Sequence, residues 1–290
     1  MITSVVSWHQ PGTLAELLEL LGCLEGPAHL LAGGTDIVAK AKLGLVAPGA
    51  WINIRGLPEL SGIEVRDEEL RLGALVTMTE VEASALLRAE ARALWDACWV
   101  AGSVQIRNRA TLGGNTANAS PAGDTLPALM SLDAELELRS QRGRRRLPLC
   151  DFFEGPGRTK RARDEVITGF FVPRRAGSSG AFMRHGQRRA QAISKVSVGV
   201  TGTLDGGRVR RLAVAFGAVG PTVFRAREVE ARALGNPLDP PLLEELVELA
   251  RAAVRPISDQ RSTAEYRREQ AGVLLRRALF AFSSRASGSP

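Results

Sequence analysis

The chain has 290 residues, of which 44% are hydrophobic and 24% charged, and a formal net charge of +7. That length and apolar content allow a sizeable core and about two or three compact units. No stretch approaches the roughly 18 uninterrupted apolar residues of a membrane span. The N-terminal run carries no basic leader, and Glu16, Glu19 and Glu25 break its leucine pattern. A cytoplasmic protein with no membrane partner is expected.

The basic balance alone would admit a nucleic acid. Nearly all the cations are arginine, however, acidic residues run throughout, and no interleaved aromatics mark a stacking platform. No nucleic acid is therefore expected as a partner. Cys23, Cys98 and Cys150 lie far apart without CxxC spacing, and His9, His29 and His185 are equally scattered. The cysteines are expected to stay reduced and to hold neither zinc nor an iron–sulfur cluster.

In chain order, GTLAELLELLG has leucines at helical spacing behind Thr13 as N-cap, AHLLAGGT reads as a short strand ending in Gly-Gly, and DIVAKAKLGL as a helix. WINIRGLPEL is a strand and a turn. GIEVRDEELRLGALVT is a hairpin turning at Asp67 and Glu68, followed by Thr79 capping EVEAS. Residues 90–103 read as one helix, TLPALMSLDA as another and AELEL as a strand. RGRRR, between AELEL and LPL, reads as a solvated hairpin tip. Pro173 and RRAGSSG make the clearest linker. Beyond it, strands in KVSVGVTGTLDGGRVRRLAVAFGAV and helices in LLEELVELARAAV and TAEYRREQAGVLLRRALFAF form a separate α+β unit.

Two glycine-rich turns carry the polar signal. In LLAGGTDIV a strand runs through Gly33-Gly34 into a helix whose first turn begins near Thr35. Glycines there tolerate the turn and remove side chains that would hold a ligand away, and the free amides form an anion site. TLGGNTANASPAGD, residues 111–124, again pairs glycines with hydroxyl and amide groups, and Asp124 precedes another helix. Jointly the two turns suit the two phosphates of one dinucleotide. Each alone also has an ordinary structural reading, Gly33-Gly34 as a tight strand-to-helix turn and Asp124 as an N-cap. GxGxxG after the first strand and GxxxxGK(S/T) are both absent, so neither a Rossmann nor a P-loop site is supported.

With their surroundings the two turns resemble the flavin-binding medium subunit of the molybdenum hydroxylases, the family of the xanthine dehydrogenase and carbon monoxide dehydrogenase flavoproteins. The resemblance runs in order through LLAGGTDIVAKAK, WINIRGLPELSGI, LRLGALVTMTEVEAS, GSVQIRNRATLGGNTANASPAGDTLPAL, HGQRRAQAISKVSVGV and RSTAEYRREQAGVLLRRAL. It implies an α+β protein: a two-subdomain FAD-binding fold (PCMH-like) over 1–175, divided at about residue 60, and a C-terminal α+β domain of the CO dehydrogenase flavoprotein type over 176–290.

The resemblance also implies FAD, bound non-covalently because no histidine is placed for a covalent link. Of the implied cofactor residues Leu31, Ala32, Gly33, Gly34, Thr35, Asp36 and Ile37, the backbone from 32 to 35 would meet the pyrophosphate together with Thr111, Gly113, Gly114 and Asn115. Asn118 and Asp124 would meet the ribityl chain or nearby polar atoms, and Ile37 and Ile167 would pack on the cofactor. Arg184 falls where relatives often have lysine, which keeps a cation near the flavin in a different geometry. The implied partners are a small iron–sulfur subunit and a large molybdenum-cofactor subunit, as a dimer of heterotrimers in which the flavin relays electrons to an external acceptor. No general acid or base is implied. A nucleotide-binding scaffold that has lost the flavin is opposed by the intact glycines, Asn115 and Asp124. A stand-alone flavin oxidase is opposed by the lack of a His, Tyr or Cys cluster beside the turns.

Overall fold

The computed structural model describes residues 4–188 and 190–286. Its first part is a parallel sheet made by β1 (Val5–His9), α1 (Leu14–Cys23), β2 (Ala28–Leu31), α2 (Ile37–Lys42) and β3 (Gly49–Asn53), in the order β1-β3-β2. Each connection between successive strands runs through a helix, as parallel pairing requires. Thr13 caps α1, its hydroxyl accepting from the Glu16 N–H at 3.2 Å. Leu14, Leu17 and Leu21 then bury one helix face against Ile52, Leu57 and Leu60, the spacing expected of an amphipathic helix.

A hairpin, β4 (Ile63–Arg66) and β5 (Glu69–Gly73), leads into six short helices: α3 (Met78–Ala83), α4 (Ala85–Glu90), α5 (Arg92–Val100), α6 (Val104–Arg107), α7 (Leu112–Asn118) and α8 (Thr125–Ser131). Then come β6 (Glu135–Ser140), β7 (Gly143–Pro148), the small pair β8 (Phe153–Gly155) and β9 (Arg158–Thr159), and β10 (Val166–Pro173). The large strands form an antiparallel sheet ordered β4-β5-β10-β6-β7. β10, VITGFFVP, is buried along nearly its whole length, which is why, apart from Thr168, whose hydroxyl donates to Glu137 Oε1 at 2.7 Å, it carries no polar side chain and does not alternate.

The last part pairs β11 (Ser179–His185), β12 (Val196–Asp205), β13 (Arg208–Gly217) and β14 (Phe224–Arg225) in sequence order. α9 (Arg227–Ala233), α10 (Pro240–Ala253) and α11 (Ala264–Ala286) follow, and Leu275, Ala278, Leu279 and Phe282 of α11 join the valines of β12 in one core. α5 and α8 contact this sheet from the side of the middle part. α8 is consequently buried at every position, and its end of the chain places the 111–124 segment at the seam. Among the described residues no helix is long and apolar enough to cross a membrane.

Several elements differ from the sequence reading. Residues 90–103 are not one helix: α4 ends at Glu90, α5 spans Arg92–Val100, and α6 restarts behind Ser103, whose hydroxyl accepts from the Ile106 N–H at 3.4 Å. α2 begins at Ile37 rather than Thr35, and TLGGN is no turn but the start of α7 with Thr111 as N-cap. Only Arg142 of RGRRR lies in the hairpin turn; Arg144, Arg145 and Arg146 sit on the edge strand β7, where charge discourages edge-to-edge pairing. Thr77, not Thr79, caps α3, because it forms a capping box with Glu80, whose carboxylate accepts from the Thr77 N–H at 2.7 Å. Thr79 instead donates to Asn108 Oδ1 at 2.7 Å. Thr77→Ala should therefore cost about 1 kcal/mol, a fall of roughly 2–4 °C in Tm. Thermal denaturation showing the larger loss for Thr79→Ala would reverse this assignment.

Candidate cofactor-binding site

The two glycine-rich segments meet at Gly33. A Cβ there would lie 1.9 Å from the carbonyl oxygen of Arg109, so only glycine lets the loop after β2 cross the backbone ahead of Thr111. Gly34 takes φ +78°, the left-handed region in which a side chain costs roughly 1–2 kcal/mol. This crossing frees a run of donors. Among the described residues, the backbone N–H groups of Gly33, Gly34, Thr35, Asp36 and Ile37 have no acceptor. All five residues line a cavity of about 260 Å³ together with Thr111, Gly114, Asn115, Asn118 and Lys40. Successive unpaired N–H groups ahead of a helix make a concavity for an anion.

α7 contributes differently from expectation. Its first amides are already used: Leu112 N–H donates to Val76 O at 2.9 Å, Gly113 N–H to Ala74 O at 2.8 Å, Gly114 N–H to Thr111 Oγ1 at 3.0 Å and Asn115 N–H to Thr111 O at 2.9 Å. The anion donors therefore come from the first segment alone, and the second supplies room and side chains. A Cβ on Gly113 would meet Ala74 at 2.7 Å, whereas one on Gly114 would meet only Thr111 Oγ1 at 2.9 Å. Asn115 Oδ1 accepts from Thr125 Oγ1 at 2.7 Å. Asn118 bridges the segments, donating to Asp36 Oδ1 at 3.1 Å and accepting from Lys40 Nζ at 2.5 Å. Lys40 was missed in the sequence, although its place one helical turn after Ile37 puts it on the same face of α2.

From this polar middle the cleft runs two ways. One end is apolar, lined by Leu30, Ala32, Ile37, Leu75 and Ile167, with His29 and Arg161 at its border. Leu30 rather than Leu31 faces it; Leu31 points to the other side of β2, 3.4 Å from where a Gly34 Cβ would lie, as strand alternation requires. The other end continues past Thr35, Asn115 and Asn118 to Gly102, Ile106, Asp124 and Ile193.

Asp124 is not an N-cap: its backbone is helical and its side chain bonds none of the α8 amides. Its Oδ2 accepts from Arg184 Nη1 at 2.9 Å and its Oδ1 from Ser194 Oγ at 2.6 Å. Burial pushes the Asp124 pKa above the ordinary carboxylate value, against the pull of Arg184 and Ser194. Arg184 stands behind Asp124 rather than in the lining, also donates to Ala192 O at 2.9 Å, and keeps Nη2 buried without a partner. Ser194, Ala192 and Ile193 come from the segment after β11, which carries no sequence signal beyond its place in HGQRRAQAISKVSVGV.

The comparisons with known proteins agree with this geometry. Residues 4–175 match the family described as the FAD binding domain in molybdopterin dehydrogenase, and residues 181–281 match the CO dehydrogenase flavoprotein C-terminal domain. The nicotinate dehydrogenase FAD-subunit of Eubacterium barkeri is 34% identical over 265 residues, 89% of this chain and 90% of that protein. The carbon monoxide dehydrogenase medium chain of Afipia carboxidovorans is 31% identical over 287 residues, 99% of each. A chain of the solved structure titled reconstituted CO dehydrogenase from Oligotropha carboxidovorans superposes with a TM-score of 0.94 at 29% identity, covering 98% of this chain and 100% of that one. The chain belongs to the family of FAD-binding medium subunits of the molybdopterin dehydrogenases, and is an oxidoreductase subunit. Its residues fit FAD: a cradle lined by the backbone of Gly33 and Gly114, a row of free N–H donors, and a buried orphan donor on Arg184 behind one end.

Proposed function

We propose that the cleft holds FAD non-covalently and that the chain is the relay subunit of a cytoplasmic complex with a small iron–sulfur subunit and a large molybdenum-cofactor subunit, two such heterotrimers pairing. The observation that carries this reading is the row of free N–H groups from Gly33 to Ile37, set between an apolar end and the Asp124 end of one cleft. Those N–H groups would take the pyrophosphate. Ile37 and Ile167 would pack on the adenine, Asn115 and Asn118 would meet the ribityl chain, and the Asp124 end would seat the flavin ring. When bound, FAD supplies the redox chemistry that links one-electron carriers to an external acceptor. The chain's residues bind and orient it, residues 1–175 holding most of the cofactor and the 176–290 part closing the ring end through Ala192 and Ile193, behind which Arg184 and Ser194 hold Asp124.

Purified chain should be yellow, and heat or acid should release FAD into the supernatant. FMN as the released flavin would refute the dinucleotide reading, and colour held in the precipitate would refute the non-covalent one. In stopped-flow absorbance the flavin of the isolated chain should be reduced by dithionite and ignore aldehydes and purines. With both partner subunits added, a hydroxylase substrate should reduce it within turnover. Direct reduction by such a substrate in the chain alone would favour a stand-alone oxidase.

A further inference from the structure

The free N–H groups from Gly33 to Ile37 are dipoles, and a pyrophosphate dianion seated on them still needs a counter-charge. Asp36 deepens that need, because its carboxylate stands at the same cavity as a like charge. Among the described residues that line the cavity, Asp36 is the one acid and Lys40 the one base. Arg109, the cation of the backbone crossing, turns to Gly33 O at 3.4 Å and does not line it.

The placement of Lys40 answers to the cavity rather than to the fold. Asp36 and Lys40 are four positions apart, the acid first, which is the spacing of a stabilising helical ion pair. That pair is not formed. Asn118, arriving from α7, stands between the two: its Oδ1 accepts from Lys40 Nζ at 2.5 Å and its Nδ2 donates to Asp36 Oδ1 at 3.1 Å. Helical side chains lean toward the N-terminus of their helix, so Lys40 reaches back from the last turn of α2 toward the loop that opens it. An ammonium carries three donors, and among the described residues only Asn118 takes one. The charge is thus held beside the loop amides with donors to spare.

Resting on the function proposed above, we infer that Lys40 is the counter-ion of the FAD pyrophosphate, held beside the loop N–H groups by Asn118. The N–H groups then fix the direction of the phosphates and Lys40 supplies the positive charge, as a compact point charge does for phosphate. Asn118 is a positioning residue in this arrangement, since it keeps Lys40 from collapsing onto Asp36.

Flavin-free full-length chain titrated with FAD, read by flavin fluorescence, tests this in the wild type, Lys40→Met, Lys40→Arg, Asp36→Asn and the double variant Asp36→Asn/Lys40→Met. Lys40 is exposed and makes a bond only to Asn118, so the empty variants should melt with the wild type. Lys40→Met should weaken FAD by roughly tenfold or more, the worth of a hydrogen bond to a charged group, and Lys40→Arg should recover most of the loss. The gap between the wild type and Lys40→Met should narrow as ionic strength rises from about 0.01 M to about 1 M, because salt screens the charge that was removed. The double variant separates the two groups that Lys40 could serve. A loss that persists in the Asp36→Asn background puts Lys40 on the pyrophosphate. A loss that vanishes there means that Lys40 only offsets Asp36, and it overturns the inference, as does undiminished FAD affinity in Lys40→Met. A wild-type chain that takes up no FAD overturns the functional reading itself.

Discussion

Gly33→Ala should purify without flavin and melt below the wild type, whereas Gly114→Val should lose the flavin at close to the wild-type Tm. The difference lies in what each new side chain would strike. At Gly33 the Cβ meets backbone, the Arg109 oxygen at 1.9 Å and carbon at 2.6 Å, and neither can rotate away. The crossing must open, at an overpacking cost of about 1–3 kcal/mol, and the free N–H groups move away from Thr111 and Asn115. At Gly114 the only neighbour is the Thr111 hydroxyl at 2.9 Å. Losing that cap costs about 1 kcal/mol, and replacing a helical glycine returns a few tenths of a kcal/mol. The remaining volume goes into the cleft, where it displaces the cofactor. Flavin absorbance per protein at limiting FAD, read with calorimetry, separates the two effects. Full occupancy in Gly114→Val would mean that FAD binds elsewhere, and an unchanged Tm in Gly33→Ala would mean that the crossing is not tight.

What could be seen in the sequence follows from how local its cause is. Thr13 was legible as a cap because the cap and its helix are contiguous, and the Asp67-Glu68 hairpin for the same reason. Thr77 carried the capping-box pattern with Glu80 three residues on, but Thr79 stands closer to EVEAS and drew the assignment. The strand character of RGRRR was hidden because an edge strand exposed on both faces has no apolar alternation to show. At the site, the Gly33-Gly34 loop was readable as an anion seat, since glycines ahead of a helix free their own amides. That α7 spends its amides on Val76 and Ala74 was not readable, because those acceptors belong to the segment after β5 and meet α7 only in the fold. Arg184 and Ser194 reach Asp124 from 60 and 70 positions away; the resemblance pointed to the first, and nothing in the chain pointed to the second.

Asp124→Ala should cost about 3–5 kcal/mol, several times the roughly 1 kcal/mol of the lost cap that the sequence alone would suggest. The Arg184 side chain is only 7% exposed, and its Nη2 is already without a partner. Removing the carboxylate strands a buried cation on the single acceptor Ala192 O, and it also frees Ser194, so the segment carrying Ile193 loosens over the ring end of the cleft. FAD retention should therefore fall with stability. The pH dependence separates charge from shape. Burial holds the Asp124 pKa above its unfolded value, so folding favours the protonated carboxyl. A carboxyl of that kind contributes stability that is complete below its unfolded pKa and fades as pH rises through the folded one. Asp124→Asn keeps the shape and removes the titration. The Tm of the wild type minus that of Asp124→Asn should accordingly shrink as pH rises above about 4, the ordinary carboxylate value. A difference that grows over this range would mean that Arg184 and Ser194 outweigh burial, and Asp124 would then be a stabilising anion at the flavin end. Arg184→Lys completes the comparison: it keeps the cation but has a single ammonium in place of the planar fork, so it should retain most of the charge effect while losing either the Asp124 bond or the Ala192 bond.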